Sequence, residues 1–122
     1  MKGIALIFLL VFAISCKTES AETFGKPTSK TPVALGKELF EGKGNCVACH
    51  LPNQKVIGPS IQEIAKTYKT QDADIVAFLK EDAKPIVDPS QYEVMKTNFA
   101  ITKMMSDEEL QAIEAYMYSN LK

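Results

Sequence analysis

Three stretches of different hydrophobic pattern divide the chain. Every position from Ile4 to Ile14 is apolar. Lys17 to Thr31 is mostly small, polar or charged, carries Gly25 and Pro27, and has no period. From Pro32 onward apolar residues return at steps of three and four, the spacing of helices with one buried face, and no alternating run predicts a strand. Val33 to Glu41 places Ala34, Leu35, Leu39 and Phe40 at such steps before Gly42 and Gly44 end the helix. Ser60 is a good N-cap for a helix over Ile61 to Tyr68. Asp72 or Asp74 opens a third, with Ile75, Val76, Phe78 and Leu79 on its apolar side. Pro85 and Pro89 impose a loop over Lys84 to Ser90. The last helix begins at Ser106, whose Glu109 three residues on completes a capping box, and its stripe is Leu110, Ala112, Ile113, Tyr116 and Met117. The reading is all-α, about four short helices in roughly ninety residues, a size at which so little helix encloses a poor core unaided. Something other than side chains is expected to fill the centre.

The apolar run at the start is an address rather than part of the fold. Eleven helical residues span roughly 16 Å, well short of a hydrocarbon core of ~30 Å. With Lys2 ahead of it, the run reads as a secretory signal over residues 1–15. It ends in Ala13-Ile14-Ser15-Cys16, which resembles a bacterial lipobox with Ala13 where Leu is usual. That resemblance implies a lipidated Cys16 at the mature N-terminus, residues 16–31 as a flexible tether, and a folded domain over 32–122. An ordinary cleaved signal that happens to contain Cys16 is the alternative. A loose coil of this length reaches roughly 20 Å, enough to hold a small domain near a membrane and leave it free to turn.

Composition narrows the function. The chain of 122 residues is 46% hydrophobic and 24% charged, which suits one globular domain and excludes a disordered chain or a multidomain enzyme. Its 14 basic residues are all Lys and face 15 acidic ones; without residues 1–15 the balance is 13 against 15, a formal −2. With neither a basic surplus nor any Arg, nucleic acid is not an expected partner.

The chemistry sits in Cys46-Val47-Ala48-Cys49-His50. A C-x-x-C-H run is the attachment signature of c-type haem. Two thiols three positions apart can add to the two vinyl groups of one porphyrin, and the next residue's imidazole can then bind the iron from one face. Gly42, Gly44 and Asn45 give the backbone freedom to bring this turn to the ring edge. Three other readings compete. A thioredoxin-like redox pair expects a strand–helix context that this pattern lacks. A zinc site needs four ligands, and no second Cys or His cluster exists. A structural disulfide is open to any exported protein. Against all three, the only His in the chain directly follows the second Cys.

Residues 35–121 resemble a small monohaem cytochrome of the class I cytochrome c family. The matching pieces stand in family order: Gly36-x-x-Leu39-Phe40, Cys46 to His50, Ile57-Gly58-Pro59-Ser60 entering a helix, a Met in a loop, and the final helix from Ser106-Asp107-Glu108-Glu109. The resemblance implies a class I cytochrome c fold wrapped around one covalent haem c. It implies that Gly36 and Phe40 meet Ala112, Ile113 and Tyr116 where the first and last helices cross. It also implies that the Pro59 carbonyl accepts a hydrogen bond from His50, although a plain turn proline would fit the same position.

The second iron ligand has four candidates: Met95, Met104, Met105 and Met117. Met117 belongs to the apolar stripe of the last helix. Met104 and Met105 abut its cap and leave little loop to reach across. Met95 begins Met95-Lys96-Thr97-Asn98, which keeps the Met and Asn of the family's Met-Pro-Pro-Asn and loses both prolines. Met95 is therefore the expected ligand, with an open site as the alternative, and Asn98 is expected to hydrogen-bond around the thioether or a propionate.

A haem with both axial positions filled offers substrates no ready site and suits one-electron carriage. The expectation is a monomeric, non-enzymatic electron carrier. It is exported to the periplasmic or extracytoplasmic side and lipid-anchored there, and it serves respiratory reductases, oxidases or dehydrogenases. Lys43, Lys55 and Lys96 would form a weakly positive docking rim or merely a solvated surface. Two rival readings are a haem sensor or small peroxidase with a displaceable sixth ligand, and a fixed electron-transfer subunit of an oxidoreductase complex.

Overall fold

The computed structural model describes residues 29–122. The signal, Cys16 and all but the last residues of the tether lie outside the described part. Six α-helices follow in order: α1 (Pro32–Glu41), α2 (Ile61–Thr70), α3 (Ile75–Leu79), α4 (Tyr92–Lys96), α5 (Phe99–Thr102) and α6 (Asp107–Ser119). Short 3₁₀ turns stand at Cys46–Ala48 and Pro89–Gln91. Among the described residues there is no strand, only an isolated bridge between His50 and Lys55.

Local chemistry sets the helix starts. Thr31 Oγ1 accepts the Ala34 amide at 3.3 Å, and Pro32 occupies the first turn of α1, where its missing N–H costs nothing. Ser60 caps α2 through the Glu63 amide at 3.1 Å, and Asp74 rather than Asp72 caps α3 through the Ala77 amide at 2.9 Å. The expected capping box is present at α6. Ser106 Oγ accepts from the Glu109 amide at 3.2 Å, and Glu109 Oε2 accepts from the Ser106 amide at 2.9 Å.

The two longest-range partners, α1 and α6, cross so closely that a Cβ on Gly36 would stand 1.8 Å from the Ala112 carbonyl oxygen. Phe40 and Tyr116 meet edge to face beside the crossing, with centroids 5.3 Å apart. Leu110 and Ile113 of α6, Ile61 of α2 and Ile75 of α3 are almost completely buried. Thr102 is fully buried too, and its hydroxyl donates to the Leu79 carbonyl at 2.6 Å, tying α5 to the end of α3.

The count of helices corrects the sequence reading. The four expected helices are present, and two more, α4 and α5, stand between the proline loop and the last helix, where the pattern predicts none. These helices have five and four residues, about one turn each, too few to repeat an apolar position and leave a stripe. Met95 consequently sits on a helix and not in a loop.

Candidate haem site

The turn after α1 builds the first wall. The Gly44 amide donates to the Leu39 carbonyl at 2.7 Å, closing the end of the helix. Gly44 is needed for close approach: a Cβ there would lie 2.8 Å from the Leu39 oxygen and 3.0 Å from Cys46 Sγ. The left-handed residue is Asn45, at φ 51°, and neither Gly42 nor Gly44 has a positive φ. Of the three residues expected to give the turn its freedom, Asn45 is thus the one in the left-handed conformation. From there Cys46–Ala48 winds one 3₁₀ turn, with the Cys49 and His50 amides both donating to the Cys46 carbonyl, at 3.1 and 3.0 Å. Neither thiol is in a disulfide. Burial pushes the Cys46 thiol up to about 11, so it is protonated at neutral pH.

His50 is fixed by a contact nine residues away. Its Nδ1 lies 2.7 Å from the Pro59 carbonyl oxygen. A carbonyl only accepts, so Nδ1 carries the proton and Nε2 keeps its lone pair. Burial lowers the imidazole below its ordinary 6.5, with the Pro59 bond opposing, which favours the neutral ring that a metal needs. Gly58 makes room for this ring: a Cβ there would lie 2.5 Å from Cε1 and 2.8 Å from Nδ1. The sequence contained Gly58 as part of a motif without revealing that the histidine rests on it.

These groups face a cleft that is partly open to solvent. Phe40, Ile64, Ile75, Leu79, Ile113 and Met117 give it apolar walls, and Asn45, Asp88, Gln91, Thr97 and Asn98 add polar groups. Of the four candidate methionines, Met95 and Met117 line the cleft. Met117 is buried in the stripe of α6, whereas Met95 is half-buried on α4. Met104 is 81% exposed, and Met105 is buried beneath Gly44, away from the cleft. Asn98 lines the cleft, and its Nδ2 donates to the Gly44 carbonyl at 3.0 Å.

The docking rim expected of the lysines is not made of free charges. Lys43 holds both Glu109 oxygens, at 2.6 and 2.8 Å, and Lys55 holds Asp88 at 2.9 Å. Lys96 stands 3.6 Å from Glu93 and over the Tyr92 ring. Exposed apolar side chains stand among them near Cys46–His50 and α4: Val47, Val56, Ile57 and Val94.

An apolar cleft beside two unpaired thiols and a neutral imidazole fits a covalent haem, and the comparisons agree. Residues 33–120 match the cytochrome c family, so the chain belongs to it, and the all-helical architecture accords with the class I fold. It is similar to a cytochrome c-551 of Pseudomonas denitrificans, 41% identical over 51 residues, covering 42% of this chain and 60% of that one. It is also similar to a cytochrome c2 of Rubrivivax gelatinosus, 59% identical over 29 residues, covering 24% of this chain and 34% of that one. The chain thus spans less than two thirds of either relative. The cofactor of the family is covalently attached haem c with its iron.

Proposed function

We infer that the protein is a one-electron carrier, with its haem held by thioethers from Cys46 and Cys49 and by His50 and Met95 as axial ligands. The observation that carries this reading is the His50–Pro59 hydrogen bond: it leaves Nε2 unprotonated on a histidine that lines one cleft with both cysteines and Met95. Bound there, the haem supplies an iron that takes up and gives up a single electron. The chain's own part is to keep everything else still. Two covalent links prevent loss of the group outside the cell, Pro59 fixes the imidazole tautomer, and the apolar walls exclude water. A thioether on the second side favours the ferrous form over a bis-imidazole arrangement.

Carriage is favoured over a peroxidase because His50 is the only histidine in the chain, leaving none to serve as a distal acid–base group. The expected setting is extracytoplasmic. The apolar run and Cys16 support export and a lipid anchor, and respiratory donors and acceptors are the corresponding partners. Among the described residues no helix is long and apolar enough to cross a membrane. The test is chemical. Colour retained after acid–acetone extraction supports thioether attachment, and colour lost overturns it. A ferric absorption band at roughly 695 nm, present in the wild type and absent in Met95→Leu, supports the thioether ligand.

A further inference from the structure

Met95 rides on a segment that the core barely holds. From Asp88 to Asn98 no side chain is fully buried, and neither the Pro89–Gln91 turn nor α4 contributes a buried residue. Its main apolar purchase besides Met95 is Tyr92, whose ring centroid lies 6.4 Å from Phe78 and 6.1 Å from Phe99. Two polar contacts instead flank the segment. At its start Asp88 Oδ2 accepts from Lys55 Nζ at 2.9 Å, while Oδ1 accepts from the Ser90 hydroxyl at 2.5 Å. Lys55 is bridged through its backbone to His50, so this pair links the histidine side of the cleft to the methionine segment. At the other end Asn98 Nδ2 donates to the carbonyl of Gly44, two residues before Cys46. Asp88 and Asn98 both line the cleft. Apolar burial is non-directional and leaves a half-exposed segment free to slide; a directed bond at each end does not.

We propose that Asp88 and Asn98 are positioning residues that clasp the two ends of the Met95 segment to the haem-attachment side of the cleft, through Lys55 and the Gly44 carbonyl. Breaking either clasp enlarges the fraction of molecules in which Met95 has swung away and a small ligand can take its place. This rests on Met95 being the axial ligand. The Lys55 side chain is 56% exposed against 18% for Asp88, so this clasp is open to screening by salt, whereas the neutral Asn98 clasp is not.

The experiment measures carbon monoxide association with the ferrous holoprotein together with the ferric 695 nm-region band. Asp88→Asn and Lys55→Met are each expected to accelerate association about two- to fivefold, and Asn98→Ala about fivefold, because the observed rate scales with the open fraction. Lys55→Arg keeps the ion pair and is expected to stay at the wild-type rate. Raising salt to roughly 1 M is expected to accelerate the wild type toward the Asp88→Asn value and to leave that variant unchanged. If a variant does not fold, the salt series on the wild type decides for the ionic clasp. A rising rate supports it and a flat one overturns it. A wild type without the far-red band, or a Met95→Leu variant that retains it, overturns the ligand reading and this proposal with it. A band that depends on Met95, combined with wild-type carbon monoxide rates in Asp88→Asn and Asn98→Ala, overturns the clasps alone.

Discussion

Gly58 and His50 show how a single missing side chain can set the position of an imidazole. The imidazole lies against the Gly58 backbone, and a methyl group there would press within 2.5 Å of Cε1. Gly58→Ala must therefore move the ring or the 55–59 loop, at about 1–3 kcal/mol of holoprotein stability in chemical denaturation. If the ring turns from Pro59, the tautomer is no longer fixed, and the reduction potential moves with it; an unchanged potential and stability would refute the contact. The residue scale also separates what was readable from what was not. Cys46, Cys49 and His50 are neighbours in sequence, so the motif they form could be read without any tertiary contact. The bond from His50 to Pro59 was implied only through a family resemblance. Nothing in the sequence marked Gly58 as the floor beneath the ring, because a glycine chosen for clearance looks like a glycine chosen for a turn.

Helix ends were legible for the same reason that they are stable: a cap is a contact within four residues. Ser106 and Glu109 satisfy each other across the first turn of α6, and Ser106→Ala is expected to cost about 1 kcal/mol in thermal or chemical unfolding. Glu109 carries a second load, since Lys43 from the loop after α1 sits on its carboxylate. That lysine, with the Ser106 amide, holds the carboxyl below its ordinary 4.5. A depressed carboxylate stabilises above its unfolded value and loses that contribution as pH falls through the folded one. The gap in melting temperature between wild type and Glu109→Gln is therefore expected to be open at neutral pH and to close as the medium is acidified below about pH 4. A gap that stays constant down to acid would mean that the pair is idle. Helices α4 and α5 escaped the sequence because they are single turns without a cap contact from a side chain. Tyr92 and Phe99 hold them to Phe78, a partner more than ten positions away.

At the scale of the whole molecule, the crossing of α1 over α6 closes the fold around the cleft. Gly36→Ala gains up to about 1 kcal/mol of helix propensity, yet it drives a methyl group into the Ala112 backbone. The net expectation is a loss of about 2 kcal/mol or more, read as a lower denaturation midpoint with an unchanged slope. A neutral Gly36→Ala would show that the helices can separate freely. Phe40, Ile64, Ile75, Leu79, Ile113 and Met117 belong to the packed core and also wall the open cleft, where the sequence called for a further component. The Cys46–His50 pentapeptide, the capped helices and the all-helical class were fixed by the order of residues, because each depends on groups a few bonds apart. Tertiary structure alone decided that Met95 and Met117 reach the cleft while Met104 and Met105 do not. It also turned Asn98 toward Gly44 and spent the rim lysines on carboxylates. Those outcomes depend on which distant surfaces meet, and a linear pattern holds no record of a distance it does not span.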